Sequence, residues 1–239
     1  MESHSPNKRL EAEFDLIADD YDRQHQANLK ITGEGPAYFA RYKVADLADY
    51  IQKNGLSAAD ILDFGCGIGN SIEHFRAYFP DSRLHCADVS KRSMDIARAR
   101  FPGKETYLHV DHAIDLAPES MDVVFTACVF HHIPHEQHVQ WLTELKRIIR
   151  PGGLLVIYEH NPLNPLTVQA VNTCPFDANA HLIAGRVMKK RLTESGWLDA
   201  QIRYKLFFPS LLRWCRPLEK YLSWCGFGAQ WRLTARKPQ

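Results

Sequence analysis

The stretch "ILDFGCGIGN", residues Ile61 to Asn70, places three glycines at alternate positions after an aspartate and a short apolar run. Glycine in a helix costs about 1 kcal/mol relative to alanine, so three of them where a helix begins suggest that something approaches the backbone closely. A glycine-rich turn between a strand and a helix brings backbone N–H groups and a helix N-terminus beside a ligand. The stretch therefore predicts a strand, a binding loop and a helix.

The sequence around this loop alternates short apolar runs with segments of helical spacing, which is typical of βαβ units around a parallel sheet. Five runs predict strands: "DILDF", "SRLHCAD", "TYLHV", "MDVVFTAC" and "GGLLVIYE". Two later runs, "LDAQIRYKLFF" and "GAQWRLTARK", predict an antiparallel hairpin with a helical insertion between its strands. We therefore expect an α/β fold: a Rossmann-like, mostly parallel sheet of seven strands with helices on both faces.

The length of 239 residues fits one large α/β domain with an added cap. We expect residues 1–54 to form two helical stretches that lie over the sheet as a lid, and residues 55–239 to form the main domain. Within that domain, residues 161–180 are broken by prolines and predict a substrate loop. Residues 208–228 predict the helical insertion, which Pro217 should kink or divide.

Composition excludes some classes of function. The chain has 29 basic and 28 acidic residues, so it lacks the basic footprint typical of nucleic-acid binding. It has no signal-like N-terminus and no apolar run near the roughly 20 residues of a membrane span, which predicts a soluble, cytoplasmic protein. Its six cysteines are scattered and form no CxxC pair, so we expect buried thiols.

The spacing of the glycines distinguishes between two kinds of ligand. Dinucleotides use G-x-G-x-x-G, whose third glycine this sequence does not match. The run from Asp63 to Asn70 instead resembles motif I of class I S-adenosylmethionine-dependent methyltransferases. The later motifs of that family also have counterparts here. One acid ends the second strand, another follows the third, and they are followed by the segments "SMDVVFTACVFHHI" and "LKRIIRPGGLLVIYEH". The resemblance covers about residues 55–160 and is closest in style to small-molecule methyltransferases of the ubiquinone-biosynthesis type.

The resemblance implies S-adenosylmethionine as cofactor and a role for each matching residue. Gly65 and Gly67 would let the methionine portion lie against the backbone, with Asp63 anchoring the loop. Asp88 would bind the ribose hydroxyls, although it could instead cap the following helix, where Ser90 is the better cap. The other residues expected at the cofactor are Cys66 in the loop, Val89, Asp111 at the adenine with His112, Cys128, and Tyr21 in the lid.

The segment "CVFHHIPHEQH" gathers four histidines and Cys128 within eleven residues, so a metal site has to be weighed. Pro134 is expected to start a helix that carries His135 and His138 along its outer surface, and we therefore expect no metal. One histidine at the end of the fourth strand, His131, is expected to face the transferring methyl group. Glu159 and His160 end the fifth strand across the same crevice, where either could orient an acceptor hydroxyl or remove its proton.

The leading hypothesis is methyl transfer to a small-molecule, lipid-linked or sugar-linked acceptor, with oxygen as the favoured atom. Three alternatives stay open: a noncatalytic S-adenosylmethionine-binding protein, a partner subunit of another methyltransferase, and an NAD(P)-dependent oxidoreductase. Either a monomer or a homodimer is compatible with the sequence. Because aromatic and basic residues alternate in the insertion, it could also contact an anionic membrane peripherally, or simply pack on the sheet.

Overall fold

The computed structural model describes residues 14, 15, 18, 33–174, 177 and 179–239. Within these residues, one seven-stranded sheet has the strand order β3-β2-β1-β4-β5-β7-β6. The first five strands of this order pair in parallel, and β7 runs antiparallel to both β5 and β6. The strands are β1 (Asp60–Phe64), β2 (Arg83–Asp88), β3 (Thr106–His109), β4 (Met121–Ala127), β5 (Ile149–His160), β6 (Leu198–Lys205) and β7 (Gln230–Arg236).

The described α-helices connect these strands and cover both faces of the sheet. They are α1 (Pro36–Asn54), α2 (Ile72–Tyr78), α3 (Lys91–Arg100), α4 (His138–Ile148), α5 (Pro165–Asn172), α6 (Gly185–Glu194) and α7 (Glu219–Leu222). Two 3-10 helices add to them, His135–Gln137 before α4 and Ser210–Leu218 before α7. The predicted Rossmann-like sheet with an antiparallel end is therefore confirmed.

The insertion between β6 and β7 is helical but irregular. It consists of the 3-10 helix Ser210–Leu218 followed directly by the single α-helical turn of α7, and Pro217 lies next to the junction. The kink within this segment lies at Leu212, whose φ of −106° and ψ of 24° are not helical, so the helix breaks there and not at Pro217 as the sequence predicts. In the proline-broken stretch 161–180, the Asn164 side chain caps α5 by accepting a hydrogen bond from Thr167 N.

Helix α1, the second of the two helical stretches expected in the lid, packs in the core; nearly all of the first stretch lies outside the described residues. Its residues Val44, Leu47 and Ile51 are buried in the cluster that contains Phe75 of α2 and Tyr158 of β5. These three apolar positions recur at helical spacing, so one face of α1 is buried against the sheet and α2. The expected boundary between residues 54 and 55 therefore separates no independently packed unit among the described residues.

A buried polar network ties α1 to the antiparallel end of the sheet. Asp46 Oδ2 accepts hydrogen bonds from the Tyr158 hydroxyl at 2.7 Å and from Arg232 Nη1 at 2.9 Å, and Lys205 Nζ donates to Oδ1 at 2.7 Å. Burial opposes the charge of Asp46, but Arg232 and Lys205 outweigh it and lower the pKa of the carboxyl. The network fixes the register of α1 over β5, β6 and β7.

In the described ranges, no helix is both long and apolar enough to cross a lipid bilayer. The six cysteines are all free thiols, and Cys66, Cys86, Cys174 and Cys215 are buried.

The packing of α1 predicts a stability effect that a mobile lid would not show. Leu47 is fully buried, so Leu47→Ala should lower the free energy of unfolding by about 2–5 kcal/mol because it removes core contacts and leaves a cavity. Urea unfolding at a constant m-value would measure this. Lys53→Ala on the exposed face of α1 is the matched control and should change stability by about 0.5 kcal/mol or less. Equal stability of both variants would show that α1 is not part of the cooperative core.

Candidate active site

A cavity of about 390 Å³ opens at the carboxyl ends of the parallel strands, beside the point where the strand order reverses between β1 and β4. Ligands of open α/β sheets bind at this position. The loop after β1 and the end of β2 line one side of it, and the residues after β4 and β5 line the other. The N-terminal end of α1, helix α5 and residues 206–209 complete the walls.

The first two glycines of the loop after β1 are glycine for different structural reasons. Gly65 has φ +80°, and a Cβ there would lie 2.2 Å from Val129 Cγ2, so the position excludes a side chain by both conformation and packing. Gly67 has φ +52°, and a Cβ there would meet no atom within 4 Å. Because Gly67 lines the cavity, its bare backbone faces the space in which a ligand can lie. Only the second glycine therefore fits the predicted close approach of a ligand.

Asp88 links the end of β2 to this loop. Its Oδ2 accepts a hydrogen bond from Gly67 N at 2.7 Å, and its Oδ1 accepts one from Ser90 N at 2.9 Å. Burial raises the pKa of Asp88, while the backbone donors oppose this shift. Ser90, not Asp88, caps α3, since its hydroxyl accepts from Ser93 N at 3.0 Å. Asp88 lines the cavity, and each of its oxygens keeps a lone pair for a ligand hydroxyl.

Two buried charged groups lie beneath the loop. Asp63 Oδ2 is buried without a hydrogen-bond partner, and burial together with the Asp88 carboxylate raises the pKa of Asp63 to about 7. Lys43 of α1 opposes that shift; the lysine is 8% exposed and lines the cavity. The sequence interpretation missed Lys43. Its signal is a lysine within the apolar stripe of α1, next to Val44 and one turn before Leu47.

Cys128 lies just after β4, between the two halves of the cavity. It has φ +60°, and its thiol accepts a hydrogen bond from Lys43 Nζ at 3.3 Å. Burial opposes ionisation of this thiol, but Lys43 and His160 outweigh it and lower its pKa to about 6. Reciprocally, Cys128 counteracts the burial of His160, and the pKa of that imidazole is raised. The expected cofactor residue Cys128 and the expected catalytic residue His160 therefore interact directly at the cavity wall.

His131 is oriented by a carboxylate behind it. Its Nδ1 lies 2.6 Å from Glu159 Oε2, and Glu159 Oε1 accepts from the backbone N–H groups of Val129 and Phe130 at 2.9 and 2.7 Å. Burial opposes both charges, but each partner stabilises the other; the pKa of Glu159 falls to about 2 and that of His131 rises to about 10. His131 lines the cavity and Glu159 does not. Glu159 therefore contacts His131 and not the cavity, whereas the sequence predicts that it faces the acceptor.

Asp177 lies beside His131 and His132 in the cavity wall, and the sequence analysis did not predict it. Its Oδ1 lies 3.5 Å from Nε2 of both His131 and His132, and these imidazoles with His160 lower the pKa of Asp177 against the effect of burial. Burial and the neighbouring His131 lower the pKa of His132 to about 3. Asp177 is 46 residues away from His131 in the chain, so no local motif connects them.

The expected surface position of His138 is wrong. His138 is fully buried; its Nε2 donates to the carbonyls of Phe130 and Ile133, and its Nδ1 contacts Arg191 of α6. Burial lowers its pKa to about 4. A 3-10 helix, His135–Gln137, follows Pro134 and leads directly into α4 at His138, and the buried His138 ring holds the loop after β4. His135 is exposed, as expected.

The remaining predicted residues divide into three groups. Cys66 and Val89 line the cavity. Asp111 and His112 are exposed, lie 3.5 Å apart, and stand outside the cavity wall, although the neighbouring Val110 belongs to it. Tyr21 lies outside the described residues.

Comparisons with known proteins agree with this geometry. Residues 62–155 match a family described as a methyltransferase domain. A trans-aconitate 2-methyltransferase of Methylobacterium nodulans is 31% identical over 168 residues, which cover 68% of this chain and 63% of that protein. Residues 62–155 of this chain carry a methyltransferase domain of the class I S-adenosylmethionine-dependent type. The chain therefore spans less than two thirds of the length of that relative. A second trans-aconitate 2-methyltransferase, from Rhodopseudomonas palustris, is 31% identical over a segment that covers 45% of this chain and 41% of that protein.

Solved structures share the fold of this methyltransferase chain. A Thermotoga maritima protein described as a possible histamine N-methyltransferase superposes with a TM-score of 0.68 at 17% identity, covering 95% of this chain and 99% of that one. At this identity the likeness concerns the fold alone.

The position of Asp88 predicts that its carboxylate contributes to S-adenosylmethionine binding. Asp88→Ala should weaken S-adenosylmethionine binding by about 10-fold to 100-fold, because hydrogen bonds to a charged group each contribute roughly 1.5–3 kcal/mol and the loop also loses its anchor at Gly67 N. Calorimetry would measure the dissociation constants. Asp95→Ala, on the exposed face of α3, is the control and should bind like the parent protein. Unchanged affinity in Asp88→Ala would place the ribose contact elsewhere.

Proposed function

We propose that this chain transfers the methyl group of S-adenosylmethionine to an oxygen atom of a small-molecule or lipid-linked acceptor. One observation carries the proposal: a single cavity extends from the glycine loop and Asp88 to His131 and His160. Donor and acceptor can therefore lie in one enclosed space, with the end of β4 between them.

The residues at the donor end fit S-adenosylmethionine. Asp88 is placed to accept hydrogen bonds from the ribose hydroxyls, and the backbone at Gly67 leaves room for the methionine portion. The unpartnered carboxylate oxygen of Asp63 matches the ammonium group of that portion, and the buried ammonium of Lys43 matches its carboxylate. The sulfonium supplies an electrophilic methyl group when bound.

At the acceptor end, the chain contributes positioning. Methyl transfer from a sulfonium requires an in-line arrangement of nucleophile, methyl carbon and sulfur, so orientation accounts for much of the rate. His131 is held by Glu159, and a cationic ring at this position can donate a hydrogen bond to an ionised acceptor oxygen. His160 lines the same wall and offers a second polar contact. Glu159 is a positioning residue in this arrangement.

The walls of the acceptor end favour an acceptor with a polar reacting group and an apolar body. Aromatic and aliphatic side chains line this end: Tyr38, Phe39, Leu166, Phe207 and Phe208. The lining residue Arg216 is paired with Glu34 at 2.7 Å, which offsets its charge. Trans-aconitate is a candidate because the relatives named above are trans-aconitate 2-methyltransferases, but a molecule with three carboxylates has little apolar surface to contact these aromatic side chains. An amphipathic monoanion or alcohol suits it better.

His131 generates a test that separates chemistry from cofactor binding. His131→Ala should lower turnover by about 100-fold while the affinity for S-adenosylmethionine changes little, because the ring faces the acceptor end. The assay is release of S-adenosylhomocysteine with an acceptor panel that includes trans-aconitate and amphipathic hydroxy and carboxylic acids. His135→Ala is the control. No release with any acceptor, despite cofactor binding, would favour a noncatalytic binding protein. Full turnover of His131→Ala would move the acceptor contact to His160.

The insertion supports a peripheral contact with an anionic membrane. Its large apolar side chains are solvent-exposed: Leu211 by 86%, Trp214 and Trp224 by 75% each and Phe227 by 72%. These four side chains expose apolar surface on the order of several hundred Å² in total. Arg213 and Lys220 are interleaved with them, and the acid of this segment, Glu219, turns inward to accept from Phe207 N and Phe208 N.

This exposed face adjoins the mouth of the cavity. Three residues of this region line the cavity: Phe207 directly precedes the insertion, and Phe208 and Arg216 belong to it. Asn164, at the start of α5, donates to the Phe227 carbonyl at 2.7 Å and brings the exposed Leu166 of α5 beside the patch. An enzyme that sits on a bilayer through this face would open its acceptor site toward the lipid.

Vesicle sedimentation would test the membrane contact. The protein should sediment with vesicles containing phosphatidylglycerol and much less with phosphatidylcholine alone, since both apolar insertion and basic charge contribute. Replacing Trp214 and Trp224 together by alanine should reduce binding by about 10-fold or more. Val139→Ala, at an exposed apolar residue of α4, is the control. Negligible binding to both vesicle types would overturn the membrane contact and leave the acceptor a water-soluble molecule.

A further inference from the structure

We propose that His131, His132 and Asp177 form a binding site for a divalent transition-metal ion at the acceptor end of the cavity. Their ligand atoms, one from each side chain, lie within 4.8 Å of one another. His131 and His132 are adjacent in the chain, and Asp177 reaches them from the segment that follows α5. All three side chains line the cavity. Two imidazoles and one carboxylate are a ligand set that Zn²⁺ and Fe²⁺ accept in proteins.

The distances fit a metal ion. With metal–nitrogen and metal–oxygen bonds of about 2.1 Å, two ligands at a tetrahedral angle lie about 3.4 Å apart. Nε2 of His131 and Nε2 of His132 each lie 3.5 Å from Asp177 Oδ1. The ligand atoms of the two imidazoles form the remaining pair and lie within 4.8 Å of each other.

The hydrogen bonding behind His131 is what a metal-ligating histidine requires. Such a histidine usually gives its other ring N–H to a carboxylate or carbonyl, which orients the ring and makes the ligating nitrogen more basic. Nδ1 of His131 lies 2.6 Å from Glu159 Oε2, and the other oxygen of Glu159 is held by two backbone N–H groups. Nε2 of His131 is thereby aimed at Asp177 and the cavity. An ion seated there takes the place of the proton on Nε2, so in the metal-bound form the ion holds the acceptor oxygen in place of a hydrogen bond from His131.

Three protein ligands leave coordination positions open toward the cavity, as in catalytic metal sites. An acceptor oxygen can occupy one of them, which would hold it near Cys128 and the donor end and lower the pKa of an acceptor hydroxyl. This second step rests on the proposed methyl transfer, whereas binding of the ion does not. The chemistry points to acceptors with a hydroxyl or carboxyl oxygen that can bind a metal.

Calorimetric titration of the chelator-treated full chain with ZnCl₂ tests the site. We expect one ion per chain with micromolar or tighter affinity, and at least a 10-fold weaker affinity in both His132→Ala and Asp177→Asn. His135→Ala, which removes an exposed histidine from the same segment, should bind Zn²⁺ like the parent protein. The absorption spectrum of the Co²⁺ complex reports the ligand set independently and should change in both ligand variants.

Several outcomes would overturn the metal site. They are the absence of stoichiometric binding, equal affinity in the parent and both ligand variants, and loss of binding on Cys128→Ser but not on His132→Ala. S-adenosylmethionine binding by each variant verifies that it folds. Methyl transfer that persists in chelator-treated protein lacking Zn²⁺ binding would refute the metal site and keep the proposed function. Zn²⁺ binding without methyl transfer to any acceptor would keep the site and refute that function.

Discussion

The hydrogen bond from Gly67 N to the Asp88 carboxylate, 2.7 Å long, is the contact on which the site depends. It joins a loop that follows β1 to the last residue of β2, two strands that are neighbours in the sheet. Glycine at position 67 is required because its φ is positive and its missing side chain leaves open space. The same bond therefore fixes the shape of the loop and presents a buried carboxylate to the cavity. Gly65 N and Cys66 N support the loop by donating to the Ala87 carbonyl, and Ser90 N supports the carboxylate by donating to Asp88 Oδ1.

The second half of the site depends on a buried carboxylate in the same way. Glu159, at the end of β5, receives two backbone N–H groups from the segment after β4 and orients His131. The two halves thus repeat one device: an acid at the end of one strand holds the loop that follows the neighbouring strand. Because β1, β2, β4 and β5 are parallel, their carboxyl ends meet at one edge, and the two anchored loops enclose one cavity.

Much of the fold could be predicted from the sequence, since apolar runs bounded by proline and glycine mark the strands and their alternation with helices indicates a mostly parallel sheet. The order of the strands in that sheet was not predicted. The positions of Gly67 and Asp88 were predictable too, because they follow strands directly. Other features depend on tertiary contacts that no local pattern encodes. The apolar stripe of α1 shows that the helix packs, but not that it packs on β5 instead of forming a lid. His138 faces the core through its contact with Arg191, and Lys43 and Asp177 reach the cavity from distant segments.

We propose that the glycine loop after β1, anchored at Asp88, binds S-adenosylmethionine. Calorimetric titration of the full chain with S-adenosylmethionine and, separately, with NADH measures this most directly. We expect one S-adenosylmethionine to bind per chain with micromolar affinity, and NADH to give no measurable heat. Tight binding of NADH without binding of S-adenosylmethionine would contradict it.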